Sequence, residues 1–168
     1  MVEVEHRIVL AASPLRVWTA LANINDYGRW HPFIRLSGEP AIGAKLGYTF
    51  TPIGMKRMLT ASATMTCFEK PVRIGWRAGF RGFMVSEELY ELSPAITGTE
   101  LRHRITHDGL LSLFRTHHRR KNVLAAMVET DAALERYLRQ SGHALKGPLL
   151  TNRASSKGKA HPFRARGK

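Results

Sequence analysis

Hydrophobic and polar residues alternate along the first ten positions of the chain, as they do in a β-strand with one buried face. Val2, Val4, His6, Ile8 and Leu10 fall on one side of this pattern. Further alternating segments, separated by glycine, proline and charged turn residues, cover residues 33–39, 44–52, 57–69, 72–80, 82–93 and 99–107. Short strands at this spacing predict an antiparallel sheet of about seven strands.

Helical periodicity appears before and after this run of strands. Ser13 and Pro14 suit the N-cap and first position of a helix that continues to about residue 23, and a second short helix is predicted over residues 26–30. From about Thr116 to Gln140 the pattern predicts one long amphipathic helix, with a stripe made of Val123, Met127, Thr130, Leu134 and Tyr137. Such a helix buries its stripe against the sheet, so the chain is predicted to be an α+β protein.

Basic residues are concentrated at the end of the chain. The 168 residues include 26 Lys and Arg and 13 Asp and Glu, and residues 141–168 hold seven of the basic residues and no acidic one. This segment is rich in small residues and has no apolar periodicity, so we expect a folded domain over residues 1–140 and a disordered basic tail over 141–168. The tail is expected to contact nucleic acid or an anionic membrane only weakly and without specificity.

Cysteine usage and motif searches disfavour several kinds of site. The single Cys67 excludes an internal disulfide, and its alternation with Ala63 and Met65 predicts a small core residue. No spacing of histidines and carboxylates is typical of a metal site, and no glycine-rich phosphate loop is present, so no metal or cofactor is predicted. Because Glu3 and Glu5 stand where a secretory leader is positively charged, and no apolar run has membrane-spanning length, we expect a cytoplasmic protein.

Three segments resemble the START/polyketide-cyclase superfamily in their order and spacing. They are "SPLRVWTALANINDYGRWHPF" (13–33), "RIGWRAGF" (73–80) and a closing hairpin, "ELYELSP" (88–94) with "GTELRHRITHDGLL" (98–111). With the strand before them they cover the body of the chain, residues 2–140, and the tail has no counterpart in the family pattern. The resemblance implies the helix-grip fold. In that fold a curved antiparallel sheet wraps around a long C-terminal helix, two short helices follow the first strand, and an elongated apolar cavity lies between sheet and helix.

The closing hairpin is predicted to place ionisable residues on its inner face. The apolar side of its second strand consists of Leu101, His103, Ile105 and His107. Matching the family's hairpin places Met84, Ser86, Glu88, Tyr90 and Leu92 inside on the first strand. With the turn centred on residues 93–98, Tyr90 is expected beside Leu101, and Glu88 is expected opposite His103. Such a carboxylate–imidazole pair can act as acid and base, can bind the polar end of a ligand, or can merely satisfy its own members.

We therefore expect a cavity that binds a small hydrophobic molecule, such as a lipid, an isoprenoid or a polyketide-like compound. The residues expected to line it are Trp30, His31, Phe33, Trp76, Met84, Tyr90, Leu101, His103, Ile105, His107 and Met127. Packing alone is an alternative role for Trp30 and Phe33, because large aromatic residues are mostly buried as core. The alternative function is a cyclase- or dehydratase-like enzyme in which Glu88, His103 and Tyr90 act on a carbonyl substrate.

Overall fold

The computed structural model describes residues 1–52, 55–80, 84–109 and 116–144. Its β-strands are β1 Val2–Leu10, β2 Ile34–Ser37, β3 Lys45–Phe50, β4 Leu59–Glu69, β5 Arg73–Phe80, β6 Met84–Ala95 and β7 Gly98–Asp108. They form one curved antiparallel sheet in the order β1-β7-β6-β5-β4-β3-β2, so β1 pairs with the last strand of the run. The predicted sheet of about seven strands is confirmed.

The helices cover one face of this sheet. They are α1 Pro14–Ala22, α2 Tyr27–Trp30 and α3 Thr116–Ala144, with a short 3-10 turn at Ile24–Asp26 between the first two. Helix α3 packs on β1, α1 and α2, and its buried residues include Val123, Met127 and Leu134. The curved sheet, the long C-terminal helix and the short helices of the helix-grip architecture are thereby confirmed.

Helix α3 continues to Ala144, which is four residues beyond the end expected at Gln140. Residues 145–168, which make up most of the predicted basic tail, lie outside the described residues. Among the helices that the structure describes, none is long and apolar enough to cross a membrane.

The β6–β7 hairpin has the predicted faces and a register that differs by two residues. Tyr90 pairs with His103 and Leu92 with Leu101, because the chain reverses at residues 96–97, between Ala95 and Gly98. The expected pairing placed Tyr90 beside Leu101. Side chains alternate with a period of two along a strand, so a two-residue shift keeps every side chain on its predicted face. The hairpin's inner residues are therefore right, although their partners across the strands are not.

A β-bulge in β4 changes the side on which Cys67 lies. Met65 pairs with Trp76, whereas Cys67 pairs with Gly75, and Thr66 is left between these two pairs. A bulge inserts one residue into a strand and so reverses the alternation beyond it. Phe68 consequently packs against the core, and Cys67 is only half-buried, with its sulfur beside Glu69 and the Arg73 carbonyl. The prediction of Cys67 as a core residue was wrong.

Candidate functional site

A chain of hydrogen-bonded ionisable side chains crosses the interior between sheet and helix. His103 on β7 contacts Glu88 on β6 through Nε2 (3.1 Å to Oε1) and Asp131 on α3 through Nδ1 (2.9 Å to Oδ1). The other oxygen of Asp131 lies 2.6 Å from Nδ1 of His6 on β1. Tyr90 donates its hydroxyl to Glu88 Oε1 at 2.7 Å. We call these five residues the polar cluster, and they tie three strands to α3.

Strand geometry explains how Glu88 reaches His103. Across the hairpin the Cα partner of Glu88 is Ile105, and the partner of His103 is Tyr90. Glu88 and His103 are therefore diagonal neighbours on the same face, a separation that long side chains can span. The exposed fractions of Glu88, His103 and Asp131 are 6%, 1% and 0%, so all three are shielded from solvent.

The cluster separates two groups of apolar side chains. The larger apolar cluster contains Trp76, Leu101 and Leu134, and the smaller one is built on Val4, Val123 and Met127. On each of three elements, a polar residue lies between an apolar residue of the larger cluster and an apolar residue of the smaller cluster. These sets are Val4, His6 and Ile8 on β1; Leu101, His103 and Ile105 on β7; and Met127, Asp131 and Leu134 on α3. A polar layer inside an apolar core is stable only if its groups satisfy one another. The hydrogen bonds of the cluster meet that requirement.

Two carboxyl groups hold His103 in its charged form. Burial alone would lower the pKa of His103, but its hydrogen bonds to Asp131 and Glu88 outweigh burial and raise the pKa to about 9. Burial alone would likewise raise the pKa of Glu88, yet the hydrogen bond and the charge of His103, together with the nearby His31 ring, hold it well below its ordinary value. At neutral pH His103 is an imidazolium that donates both N–H groups, and Glu88 is a carboxylate.

Tyr90 completes the surroundings of Glu88 as a neutral hydrogen-bond donor. Its ring stacks on His103 with 4.2 Å between centroids. Burial and the neighbouring Glu88 carboxylate raise the pKa of Tyr90 well above its ordinary value, so the phenol keeps its proton. Trp76 packs against the same ring, with 5.8 Å between centroids.

His31 lies in the corner between the end of α2 and the start of β2, and its tautomer follows from its backbone contacts. Its Nδ1 accepts hydrogen bonds from the backbone N–H groups of Phe33 and Ile34, both at 3.2 Å. Burial lowers the pKa of His31, so the ring is neutral and carries its proton on Nε2. This Nε2–H has no hydrogen-bond partner among the described residues, and the nearest carboxylate oxygen, Glu88 Oε1, is 4.0 Å away.

Aromatic rings surround this buried N–H. The ring of Tyr27 is stacked against His31 at 5.6 Å, and the ring of Trp30 lies 5.1 Å away. The indole Nε1–H of Trp30 is also buried without a hydrogen-bond partner in the described part of the chain. Buried donors are nearly always hydrogen-bonded, so these two donors on neighbouring rings are exceptions within the described part of the chain.

The structure divides the predicted lining residues between the two apolar clusters. Trp30, Trp76, Tyr90 and Leu101 lie in the larger cluster, with Phe33 packed against it and His31 and His103 buried beside it. Met127 and the half-buried Ile105 belong to the smaller cluster. His107 is half-buried farther along β7, and Met84 begins β6 with its side chain outside the described part of the structure.

Sequence reasoning missed Asp131 and underused His6. Asp131 lies four residues after Met127 and three before Leu134, which places it on the apolar stripe of α3. A carboxylate on such a stripe is costly to bury alone, so it signals a buried partner. His6 stands in the middle of the inward set of β1 and carried the same signal. Within the residues that the structure describes, no group of three or more potential ligands is placed to hold a metal ion.

Solved structures with the same architecture come from several bacteria. Protein NE0264 from Nitrosomonas europaea is 17% identical, with a TM-score of 0.69 over 84% of this chain and 97% of that chain. TTHA0849 from Thermus thermophilus is 14% identical, with a TM-score of 0.67 over 83% and 98%. DynU16, a protein in the dynemicin biosynthetic locus, is 19% identical, with a TM-score of 0.64 over 83% of this chain and 48% of that one. At these identities the likeness establishes the fold alone.

A family comparison covers nearly the whole described chain. No curated protein sequence matches this chain significantly. The family described as "Polyketide cyclase / dehydrase and lipid transport" matches residues 1–146, which include every element of the fold and every member of the polar cluster. The chain is a member of this polyketide cyclase, dehydrase and lipid transport family.

Proposed function

We propose that the protein binds a small hydrophobic molecule between the concave face of the sheet and α3, with one polar group of that molecule held at His31. The observation that carries this proposal is the buried Nε2–H of His31, which has no acceptor among the described residues. Leaving a buried donor unsatisfied costs about 1–3 kcal/mol, and an oxygen atom of a ligand would remove that cost.

The surroundings of His31 fit such a ligand. Binding sites for small molecules are mostly apolar and aromatic, with a few polar groups that fix orientation. Tyr27, Trp30 and Trp76 supply aromatic surface, and the polar cluster supplies the fixed groups. Membership in a family that includes lipid transport supports a hydrophobic ligand of this kind.

The protonation states in the cluster argue against the acid–base alternative. A general base needs a free basic atom, and a general acid needs a pKa near the working pH. Both nitrogens of His103 are engaged by carboxyl groups, and its pKa is raised to about 9. Glu88 already accepts hydrogen bonds from His103 and Tyr90. These residues are better suited to holding a ligand's polar group than to exchanging protons with a substrate.

Native mass spectrometry of the purified protein tests the proposal. We expect an adduct of one small organic molecule that is lost on denaturation and strongly reduced in His31→Asn. Asparagine places an oxygen near the position of Nδ1, so it preserves the backbone hydrogen bonds and removes the donor at Nε2. Trp18→Phe is the matched control. Trp18 lies on α1, is buried, and has an indole N–H without a partner among the described residues, so the substitution removes a comparable donor away from His31.

Two outcomes would contradict the proposal. The first is an adduct with equal occupancy in His31→Asn and in the wild type, which would move the ligand away from this corner. The second is a change in the chemical identity of the adduct in Glu88→Gln, for example by the mass of one water. That result would indicate a substrate accumulating on an inactivated dehydratase.

A further inference from the structure

We infer that the group bound at this corner is a neutral hydroxyl, which accepts a hydrogen bond from His31 Nε2–H and donates one to the carboxylate of Glu88. This inference rests on the proposed function and deepens it, because it names the chemical class of the ligand: an apolar alcohol or phenol, as opposed to an acid, an amine or a ketone.

The spacing of the two anchoring atoms supports a one-atom bridge. Nε2 of His31 and Oε1 of Glu88 are 4.0 Å apart, which is too long for a direct hydrogen bond. A ligand oxygen about 2.8 Å from Nε2 would be close enough to the carboxylate of Glu88 for a second hydrogen bond of ordinary length. A hydroxyl oxygen has this geometry available to it, since it accepts and donates at the same atom.

The donor side of the bridge is fixed by the fold. Nδ1 of His31 is occupied by the backbone N–H groups of Phe33 and Ile34, so the ring proton must be on Nε2. An ammonium or amide N–H of a ligand would therefore meet another donor. The ligand atom at this point has to be an acceptor.

The acceptor side of the bridge is a carboxylate with capacity to spare. Oε1 of Glu88 already accepts from Tyr90 and His103, so the acceptor positions that remain are those of Oε2, which has no hydrogen bond among the described residues. A carboxylate offers about four acceptor positions and no donor. The ligand group that meets it must therefore donate a proton as well as accept one.

Charge completes the discrimination against acids. Two carboxyl groups, those of Glu88 and Asp131, flank the imidazolium of His103. A ligand carboxylate at His31 would lie beside Glu88 in a buried, aromatic environment, where like charges repel strongly. A ketone avoids this repulsion but donates nothing to Glu88. Of the ligand groups compared, a hydroxyl is the one that both accepts from His31 and donates to Glu88.

A series of rigid probes with one skeleton tests this inference by isothermal titration calorimetry. The probes are 9-fluorenol, 9-fluorenone, fluorene-9-carboxylic acid and fluorene. We expect 9-fluorenol to bind at least about ten-fold more tightly than each of the other three, the effect of roughly one charge-assisted hydrogen bond. In His31→Asn the affinity for 9-fluorenol should fall about ten-fold, toward that for fluorene, whose own affinity should not change.

Two further variants, each checked for folding, keep the test decisive. In Glu88→Gln the side-chain amide can donate a hydrogen bond. The alcohol should therefore bind only about three-fold more tightly than the acid and the ketone, or less. Trp18→Phe should leave the order of the four affinities as in the wild type. Near-ultraviolet circular dichroism shows whether each variant is folded, and the wild-type series alone decides the question if Glu88→Gln is not.

The possible failures separate the two proposals. If fluorene or fluorenone binds wild-type protein as tightly as the alcohol, the hydroxyl inference is overturned and the hydrophobic site stands. The same holds if the acid binds best, or if His31→Asn leaves the preference for the alcohol unchanged. If none of the four probes binds and no molecule co-purifies, the proposed function itself is overturned.

Discussion

His103 shows how a single residue acquires an unusual charge state from its neighbours. An imidazole in water loses its proton near neutral pH, but the hydrogen bonds from His103 to Asp131 and Glu88 make the charged form the stable one. His31, at the other side of Glu88, is kept neutral by burial. Two histidines near the carboxylate of Glu88 thus differ in charge, because only His103 also contacts a second carboxyl group, that of Asp131.

The raised pKa of His103 predicts how stability depends on pH. Its pKa is 6.5 in the reference state and about 9 in the folded protein, so folding favours the protonated form. This contribution is fully present below pH 6.5 and is lost as pH rises toward 9. We expect the free energy of unfolding in urea to fall between pH 6.5 and 9 in the wild type, with a much shallower slope in His103→Gln. Equal slopes would show that His103 is not held charged.

The lowered pKa of Glu88 predicts that the protein loses stability as the pH falls. Its folded-state pKa lies below the reference value of 4.5, so its contribution is present above pH 4.5 and is lost as pH falls further. His31 adds to this acid sensitivity below pH 6.5, because its folded form disfavours the proton. Urea unfolding between pH 7 and 3 should show a shallower decline in Glu88→Gln, and an unchanged decline would contradict an ionised Glu88.

A double-mutant cycle measures the contact between Glu88 and His103. The changes Glu88→Gln and His103→Gln should destabilise the protein less together than the sum of the single changes, by about 1–3 kcal/mol, because each single change strands a buried partner. The exposed ion pair Arg77–Glu87 is the matched control, with an expected coupling of about 0.2–1 kcal/mol. Additive effects for the buried pair would mean that the two groups do not touch.

At the scale of the element, side-chain periodicity predicts faces better than partners. The inward positions of β7 follow from alternation, and those of β6 from the match to the family's hairpin. The pairing depends on a tight turn at residues 96–97 that the sequence pattern did not locate. The bulge at Thr66 is similarly invisible in the alternation, and it moved Cys67 out of the core. Asp131 was missed for another reason, since its partners come from strands far away in the chain.

Gly98, at the start of β7, lies against the end of β1 and is predicted to be a sensitive position. Its φ is +146°, and a Cβ there would meet the carbonyl oxygen of Leu10 at a separation that no fold tolerates. Gly98→Ala should therefore destabilise the protein by more than about 2 kcal/mol. Gly43→Ala is the control, because φ is +79° and nothing lies within 4 Å of the added atom, so its cost should be about 1 kcal/mol. Thermal unfolding checks both, and similar costs would contradict the close approach of β1 to the hairpin.

At the scale of the whole molecule, the polar cluster ties the long helix to the sheet while two apolar clusters supply most of the packing. The first and last strands and α3 meet at His6, His103 and Asp131. An apolar core with one satisfied polar layer fixes how α3 lies on the sheet, because sliding the helix by a turn would strand Asp131 without a partner. The position of His31 and Glu88 relative to α3 follows from this arrangement.

The basic segment after the domain is expected to be dispensable for folding. It lacks an apolar pattern that could compensate for the entropy lost on ordering, so deletion of residues 145–168 should shift the thermal midpoint by on the order of 2 °C or less. Weak binding to nucleic acid should be steeply salt-dependent in the full chain and lost in the truncated protein. A drop of many degrees would show that the segment packs on the domain.

The proposed function requires a ligand to reach His31, and the N–H of that ring can be observed directly. In ¹⁵N-edited spectra of histidine-labelled protein, we expect 9-fluorenol to shift the Nε2–H resonance of His31 downfield, as a new hydrogen bond does. Fluorene should leave that resonance nearly unchanged, and His103 should keep both of its protons in either complex. Saturable binding of 9-fluorenol with no change at His31 would place the ligand elsewhere and contradict binding at this corner.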